Sequence, residues 1–243
     1  LVHIYIKRTF NFIAMNMARK RQPKTEVRGV GRPRGAAEPE RIRRQLLDAT
    51  AQILTEQGYR RSSVRLIAER AGVNPALINY YFGSKQGLVL ELVRKVIGPV
   101  MQQFQHVAQN PELSGRATLH QFLQQYTHAI LEAPWLPQLV MQEVFEDEGK
   151  LREPFIEEFA SRVGGDLRAQ LERDQARGEL SARLDPNLAA LGVMSLALFP
   201  FVARGAAEHV FQLKVDRKFV DRLVDQTVDL LYGEAGTPEK RTD

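Results

Sequence analysis

Ser62 to Lys85 reads SSVRLIAERAGVNPALINYYFGSK, and its capping residues and glycines allow very few folds. Ser63 suits a helix N-cap, because its hydroxyl can accept from an orphan N–H of the first turn. Val64, Ile67, Ala68 and Ala71 recur at i, i+3, i+4 and i+7, which is one face of a short helix. Gly72 supplies the left-handed residue that ends it. Asn74 caps the next helix and Pro75 opens it at the first helical position, where its missing N–H does no harm. Ile78 and Phe82 then face inward, leaving Pro75, Ala76, Leu77, Asn79 and Tyr80 to look outward. Gly83 and Ser84 stop this helix and cap another that starts near Lys85.

Two short helices joined by a tight glycine turn suit a helix-turn-helix whose second helix enters a DNA major groove. An ordinary helical hairpin inside a bundle would share the turn. Its outer face would carry a Lys/Glu mixture, whereas here Leu77 and Tyr80 flank Asn79.

The stretch resembles the N-terminal domain of the TetR family of bacterial transcriptional regulators. Gly58 and Tyr59, Ser62 to Val64, Ile67 and Ala68, Ala71 to Val73, Tyr81 and Phe82, and Ser84 and Lys85 match that family's pattern in type and spacing. The resemblance covers about a quarter of the chain, near Arg41 to Val93. It implies that Arg65 reaches a base edge from the first of the two helices. Pro75, Ala76, Leu77 and Asn79 would read bases from the second, and Ser63, Tyr80 and Lys85 would hold phosphates. Asn79 stands where the family usually has tyrosine, and Leu77 where it often has threonine. An amide at Asn79 can pair bidentately with adenine, and Leu77 can touch a thymine methyl.

Charge is divided along the chain in a way that agrees. Residues 1–44 carry twelve Lys/Arg against three Asp/Glu, residues 45–95 seven against four, and the remainder fifteen against twenty-two. A basic amino-terminal part on an acidic body suits a phosphate-binding module carried by a regulatory domain. Cysteine is absent, which excludes disulfides and thiol redox sensing. His3, His106, His120, His128 and His209 lack metal-ligand spacing, so no metal or other cofactor is expected. No nucleophile elbow, Walker or dinucleotide-binding glycine pattern occurs, and an enzyme is not expected.

Residues 1–38 read as a basic extension without apolar periodicity beyond Ala18, expected to be disordered alone. Leu1 to Ile13 is too short and too interrupted by Lys7 and Arg8 for a membrane span. We take the natural start as Met15 or Met17, the alternative being a real amino-terminal strand or helix. Arg32 and Arg34 flank Pro33 in an extended turn that suits a narrow minor groove. A nonspecific polybasic tail is the other reading of the same residues.

The expected architecture is all-α. Residues 39–84 form the helix-turn-helix domain, residues 85–233 a helical ligand-binding and dimerisation domain, and residues 234–243 a polar tail. Pro39 opens a helix with Ile42, Leu46, Ala49 and Ile53 inside. A long helix from Lys85 should bend or divide at Gly98 and Pro99, as a hinge or as an ordinary helix boundary. Further helices are expected over 116–132, 137–146, 154–177, 186–199 and 217–232. By resemblance, Phe104, Phe122, Trp135, Met141, Phe145 and Phe159 would surround an apolar effector pocket; such residues are also ordinary core. Gly164 and Gly165 lie mid-helix, to leave room for a ligand, for close packing or for a bend. The helices over 186–199 and 217–232 carry apolar residues on more than one face, which fits a homodimer interface.

The function expected from these features is a cytoplasmic homodimeric repressor. It would leave a palindromic double-stranded DNA operator when a small hydrophobic effector binds, with no membrane involved. The alternative is a DNA-bound protein of the same build that acts through a protein partner.

Overall fold

The computed structural model describes residues 37–110, 112–146 and 148–233. Arg32, Arg34, the alternative starts at Met15 and Met17, and the tail over 234–243 lie outside the described residues. Eleven α-helices follow in order among the described residues. They are α1 (Ala37–Arg61), α2 (Val64–Ala71), α3 (Ala76–Phe82), α4 (Lys85–Ala108), α5 (Gly115–Glu132) and α6 (Trp135–Glu143). After these come α7 (Arg152–Phe155), a π-helical turn (Ile156–Ala160), α8 (Ser161–Ala176), α9 (Pro186–Val202), α10 (Arg204–Val210) and α11 (Arg217–Tyr232). No strand occurs among the described residues, and the all-α expectation holds.

Local chemistry sets most of the helix starts. Ser84, Ser114 and Asp216 each accept from an amide of the first turn, at 3.0, 3.2 and 3.1 Å. Asp185 accepts from both Asn187 and Leu188 N–H, just ahead of Pro186. These contacts satisfy donors that a helix cannot satisfy itself. In α1, Leu46, Ala49 and Ile53 are buried as expected, and Ile42 is half-buried. Helix α4 carries Val89, Val93 and Val100 inside and runs unbroken through Pro99, so Pro99 does not divide it. Its apolar face packs along α5, which also packs along α11.

Two features depart from expectation. The segment expected as one helix over 154–177 contains the π-helical turn, which ends four positions before Gly164. A Cβ at either glycine would meet nothing within 4 Å, so close helix packing does not explain them. Helix α10 was not expected; it leaves α9 at an angle of 83° after Pro200. No single helix among the described residues is long and apolar enough to cross a membrane.

Helices α5 and α11 face each other antiparallel through a ladder of polar pairs at four-residue steps along α11. Arg116 pairs with Asp229, His120 Nε2 lies 3.0 Å from Asp225, His128 Nε2 3.5 Å from Asp221, and Arg217 2.6 Å from Glu132. At the end of this ladder Asp174 is fully buried and accepts from the Tyr232 hydroxyl at 2.5 Å and from Gln170 at 2.8 Å. Burial is the main cause that pushes the Asp174 carboxyl above the usual carboxylate range. Its native form therefore holds a proton more readily than the unfolded chain does. The stability it contributes is full at low pH and is lost as pH rises through its native value. Asp174→Ala strands the buried Gln170 donor, at roughly 1–3 kcal/mol, and removes the acceptor of the half-buried Tyr232 hydroxyl. Urea titration should show that loss, together with a flatter dependence of stability on pH across the carboxylate range.

Candidate nucleic-acid interface

The α2–α3 pair is built by short-range contacts. Ser63 Oγ accepts from Leu66 N–H at 3.1 Å. Gly72 takes φ +69°, where a Cβ would be strained, and its N–H closes on Glu69 O. Val73 N–H donates to Ala68 O, and Asn74 Oδ1 accepts from Ala76 N–H at 2.9 Å. Pro75 follows with a helical φ of −52°. Beneath them Ile67, Ala68 and Ile78 are completely buried. The two helices are thereby fixed to one core, and their outer side chains need no internal partner.

Those outer side chains are the expected ones, with two differences. Ser63, Arg65, Pro75, Ala76 and Asn79 are exposed, and Tyr80 is 78% exposed with its ring edge-on to Tyr81 at 4.9 Å. Leu77 is half-buried and packs partly on the core, so only part of it faces out. Lys85 turns inward. Its ammonium donates to Tyr59 O at 3.0 Å, Ser62 O at 2.9 Å and Ser62 Oγ at 3.4 Å, and lies 3.8 Å from the Tyr59 ring centre. Three acceptors match its three protons. In this arrangement Lys85 joins the start of α4 to the turn before α2 instead of pointing at a phosphate. Burial accordingly lowers its pKa from the ordinary lysine value.

Internal pairing sorts the cations of this region. Arg41 binds Glu38, Arg70 binds Glu56, and Arg43 binds Glu91 while donating to Tyr81 O at the end of α3. Arg44, Arg61 and Arg65 are exposed and make no ion pair or hydrogen bond among the described residues. Sequence reasoning singled out Arg65 but not Arg44 or Arg61. Pairs such as Arg70 with Glu56 and Arg43 with Glu91 are set by tertiary packing and leave no local signal.

The residues expected around an effector divide into two groups. Phe104 and Phe122 are buried with ring centres 4.4 Å apart, and Phe122 stacks on Tyr126 at 5.7 Å. Trp135 and Phe159 are buried as well, Phe159 against Phe155 at 5.3 Å. Met141 and Phe145 face solvent instead. The buried side of α6 is Trp135, Leu136, Leu139, Val140 and Glu143, so Met141 falls on the opposite side, and Phe145 lies beyond the helix end. No group of three potential metal-ligating side chains occurs among the described residues.

A second exposed surface lies on α9. Leu188, Leu191, Leu196 and Phe199 are exposed, while Ala190, Val193 and Ala197 are buried on its other side. Leu230 on α11 is exposed too, although Phe219, Leu223 and Leu231 there are half-buried. Val210 and Phe211, at the end of α10, extend the exposed apolar surface to a place the sequence did not point to.

Comparison with known proteins agrees with this geometry. The profile described as "Bacterial regulatory proteins, tetR family" matches residues 46–92, from the middle of α1 into α4. The HTH-type transcriptional regulator BetI of Vibrio campbellii is 39% identical over 59 residues, 24% of this chain and 30% of that protein. The chain thus spans about a third of the length of the first such relatives. BetI of Cronobacter sakazakii is 25% identical over 190 residues, covering 76% of this chain and 89% of that protein. Among solved structures, the fatty acid degradation regulator FadR from Bacillus halodurans superposes with a TM-score of 0.65 at 20% identity, over 85% of this chain and 100% of that one. FadR from Bacillus subtilis in complex with stearoyl-CoA gives 0.64 at 20%, over 79% and 99%. At these identities the structural likeness carries the fold, and the helix-turn-helix match carries the family. The helix-turn-helix of this chain, over residues 46–92, is that of the TetR family of bacterial regulatory proteins.

Proposed function

We propose that the protein is a homodimeric transcriptional repressor that binds an inverted-repeat DNA operator and leaves it when a small hydrophobic effector binds. The observation that carries this reading is the outward face of α2 and α3. There Arg65, Asn79 and Tyr80 are exposed on two helices locked to a core, with their hydrogen-bonding capacity unspent. Arg65 and Asn79 read base edges; Ser63, Tyr80, Arg44 and Arg61 meet phosphates. Pro75, Ala76 and the free edge of Leu77 line the groove contact.

The α9 surface supports the dimer, paired twofold with the same surface of a second copy and bordered by α11. Two readers in one dimer reach successive major grooves about 34–36 Å apart. Phe104, Phe122, Trp135 and Phe159 form the apolar interior where an effector would lodge. A fold neighbour crystallised with stearoyl-CoA favours an effector with a long apolar part. Effector and operator then oppose one another by a coupling of about 1–3 kcal/mol, equal in both directions. The protein acts in the cytoplasm, where its operator is.

The test is selection of bound duplexes from a random library, repeated with acyl-CoA of graded chain length. Release of the selected duplex supports the repressor reading. Binding unaffected by every effector supports action through a protein partner.

Lys85→Met separates an internal role from a phosphate contact. Loss of a donor to buried carbonyls costs roughly 1–3 kcal/mol in chemical denaturation. A phosphate contact alone would leave stability unchanged and lower the salt slope of DNA binding by about 1.

A further inference from the structure

Arg60 stands in the last turn of α1, two residues after Gly58 and three before the Ser63 cap of α2. All its acceptors lie at the far end of α6. Its Nε donates to Glu143 at 3.2 Å, and Nη2 donates to Gln142 O at 3.2 Å and pairs with Glu146. Glu143 is 3% exposed, and its other oxygen accepts from Lys150 N–H at 3.2 Å. The neighbouring Tyr59 is buried under the Lys85 ammonium, and its hydroxyl is pushed up to about 12 by burial first and by the Glu143 charge second.

A carboxylate in this position is a poor choice for stability alone, because desolvating it consumes most of what its partner returns. An apolar side chain of similar volume would pack the end of α6 as well. What the charge adds is direction: it holds one guanidinium, and with it the turn that leads into α2. Any displacement of Arg60 passes through two residues to the Ser63 cap, while Lys85 ties the same turn to α4. Beside the contact lies an open groove of about 400 Å³ bordered by Gln57, Gly58, Gln138 and Gln142, which leaves room for α6 to move against α1. The same buried side of α6 carries Trp135, Leu136 and Leu139 into the apolar interior.

We propose that Glu143, acting through Arg60, is a positioning residue that fixes the angle at which each subunit presents α3, and so sets the half-site spacing the dimer accepts. This rests on the DNA-binding dimer proposed above, and it assigns to two residues 83 positions apart the task of orienting the reader.

The experiment compares the full-length protein with Glu143→Gln, which keeps size and an acceptor for Lys150 N–H, and with Arg60→Gln, whose side chain is largely exposed. Each is titrated with the inverted repeat that the wild type selects, with spacers altered by one or two base pairs either way, and with a single half-site. Amide exchange over residues 62–67 is followed in parallel. The expected result is unchanged half-site affinity, exchange at 62–67 at least fivefold faster, and a spacer preference at least fivefold flatter in both variants. The doubly substituted protein should be no worse than either. A wild-type spacer profile in Arg60→Gln overturns the proposal, even if exchange is faster. Should the wild type prefer no duplex at all, the functional reading falls and the positioning role falls with it. Faster exchange would then report only a structural contact.

Discussion

Leu191→Glu combined with Phe199→Glu should turn the protein into a monomer and weaken binding to an inverted-repeat operator by roughly 100-fold or more. Both side chains are exposed by 65% on α9. The seventeen residues of that helix include no charged side chain, which on an exposed helix is unusual. A helix apolar on every side is stable only where every side is covered. In one subunit Ala190, Val193 and Ala197 are covered and the leucine stripe is not. A glutamate in the centre of a dimer interface would lose its hydration without gaining a partner, a cost that readily exceeds what the remaining contacts supply. Sedimentation velocity should show the monomer, with helix content unchanged. Affinity for a single half-site should also be unchanged, because the substitutions touch no part of α2 or α3. A double variant that stays dimeric would place the interface elsewhere, with Val210 and Phe211 the next surface to test.

The second large effect is on sequence reading. Arg65→Ala and Asn79→Ala each remove one base contact per subunit, worth about 1–3 kcal/mol of discrimination when bidentate. A twofold dimer loses it twice, so each substitution should cost roughly 2–6 kcal/mol on the full operator and about half that on one half-site. The loss should be concentrated at one base pair per half-site: with Asn79→Ala, the preference for adenine at its position disappears while affinity for the other three bases changes little. Arg44→Ala and Arg61→Ala should behave differently. They weaken all sequences alike and each lower the salt slope by about 1, the mark of a phosphate contact. Arg70→Ala should do neither, since Arg70 is already held by Glu56. An Asn79→Ala protein with an unaltered site preference would remove Asn79 from the set of base readers.

What could be read from sequence followed from the range of the forces involved. The caps at Ser63, Gly72, Asn74 and Ser84 act over two to five residues, so α2, α3 and their turn were legible in order and in facing. Asp185 with Pro186, and Asp216, act over the same short range at the starts of α9 and α11. Helix α10 was missed because it starts at a sharp turn with no side-chain cap. The π-helical turn has no spacing signature of its own. Met141 and Phe145 were grouped with the interior because size and apolarity do not say on which side of a nine-residue helix a residue falls, or where that helix ends. Lys85 was assigned to a phosphate on resemblance; two carbonyls more than twenty residues away hold it instead. The Arg60–Glu143 contact has the same origin, since nothing near either residue announces the other.

The most direct measurement of the central claim is enrichment of random duplex DNA by the purified protein at moderate salt, with competitor present. One inverted repeat whose half-site centres are one helical turn apart is the expected product. Recovery of that repeat should be abolished by Arg65→Ala with Asn79→Ala and preserved in Arg70→Ala. Recovery of no sequence above the random background, from protein with full helix content and a cooperative unfolding transition, would contradict it.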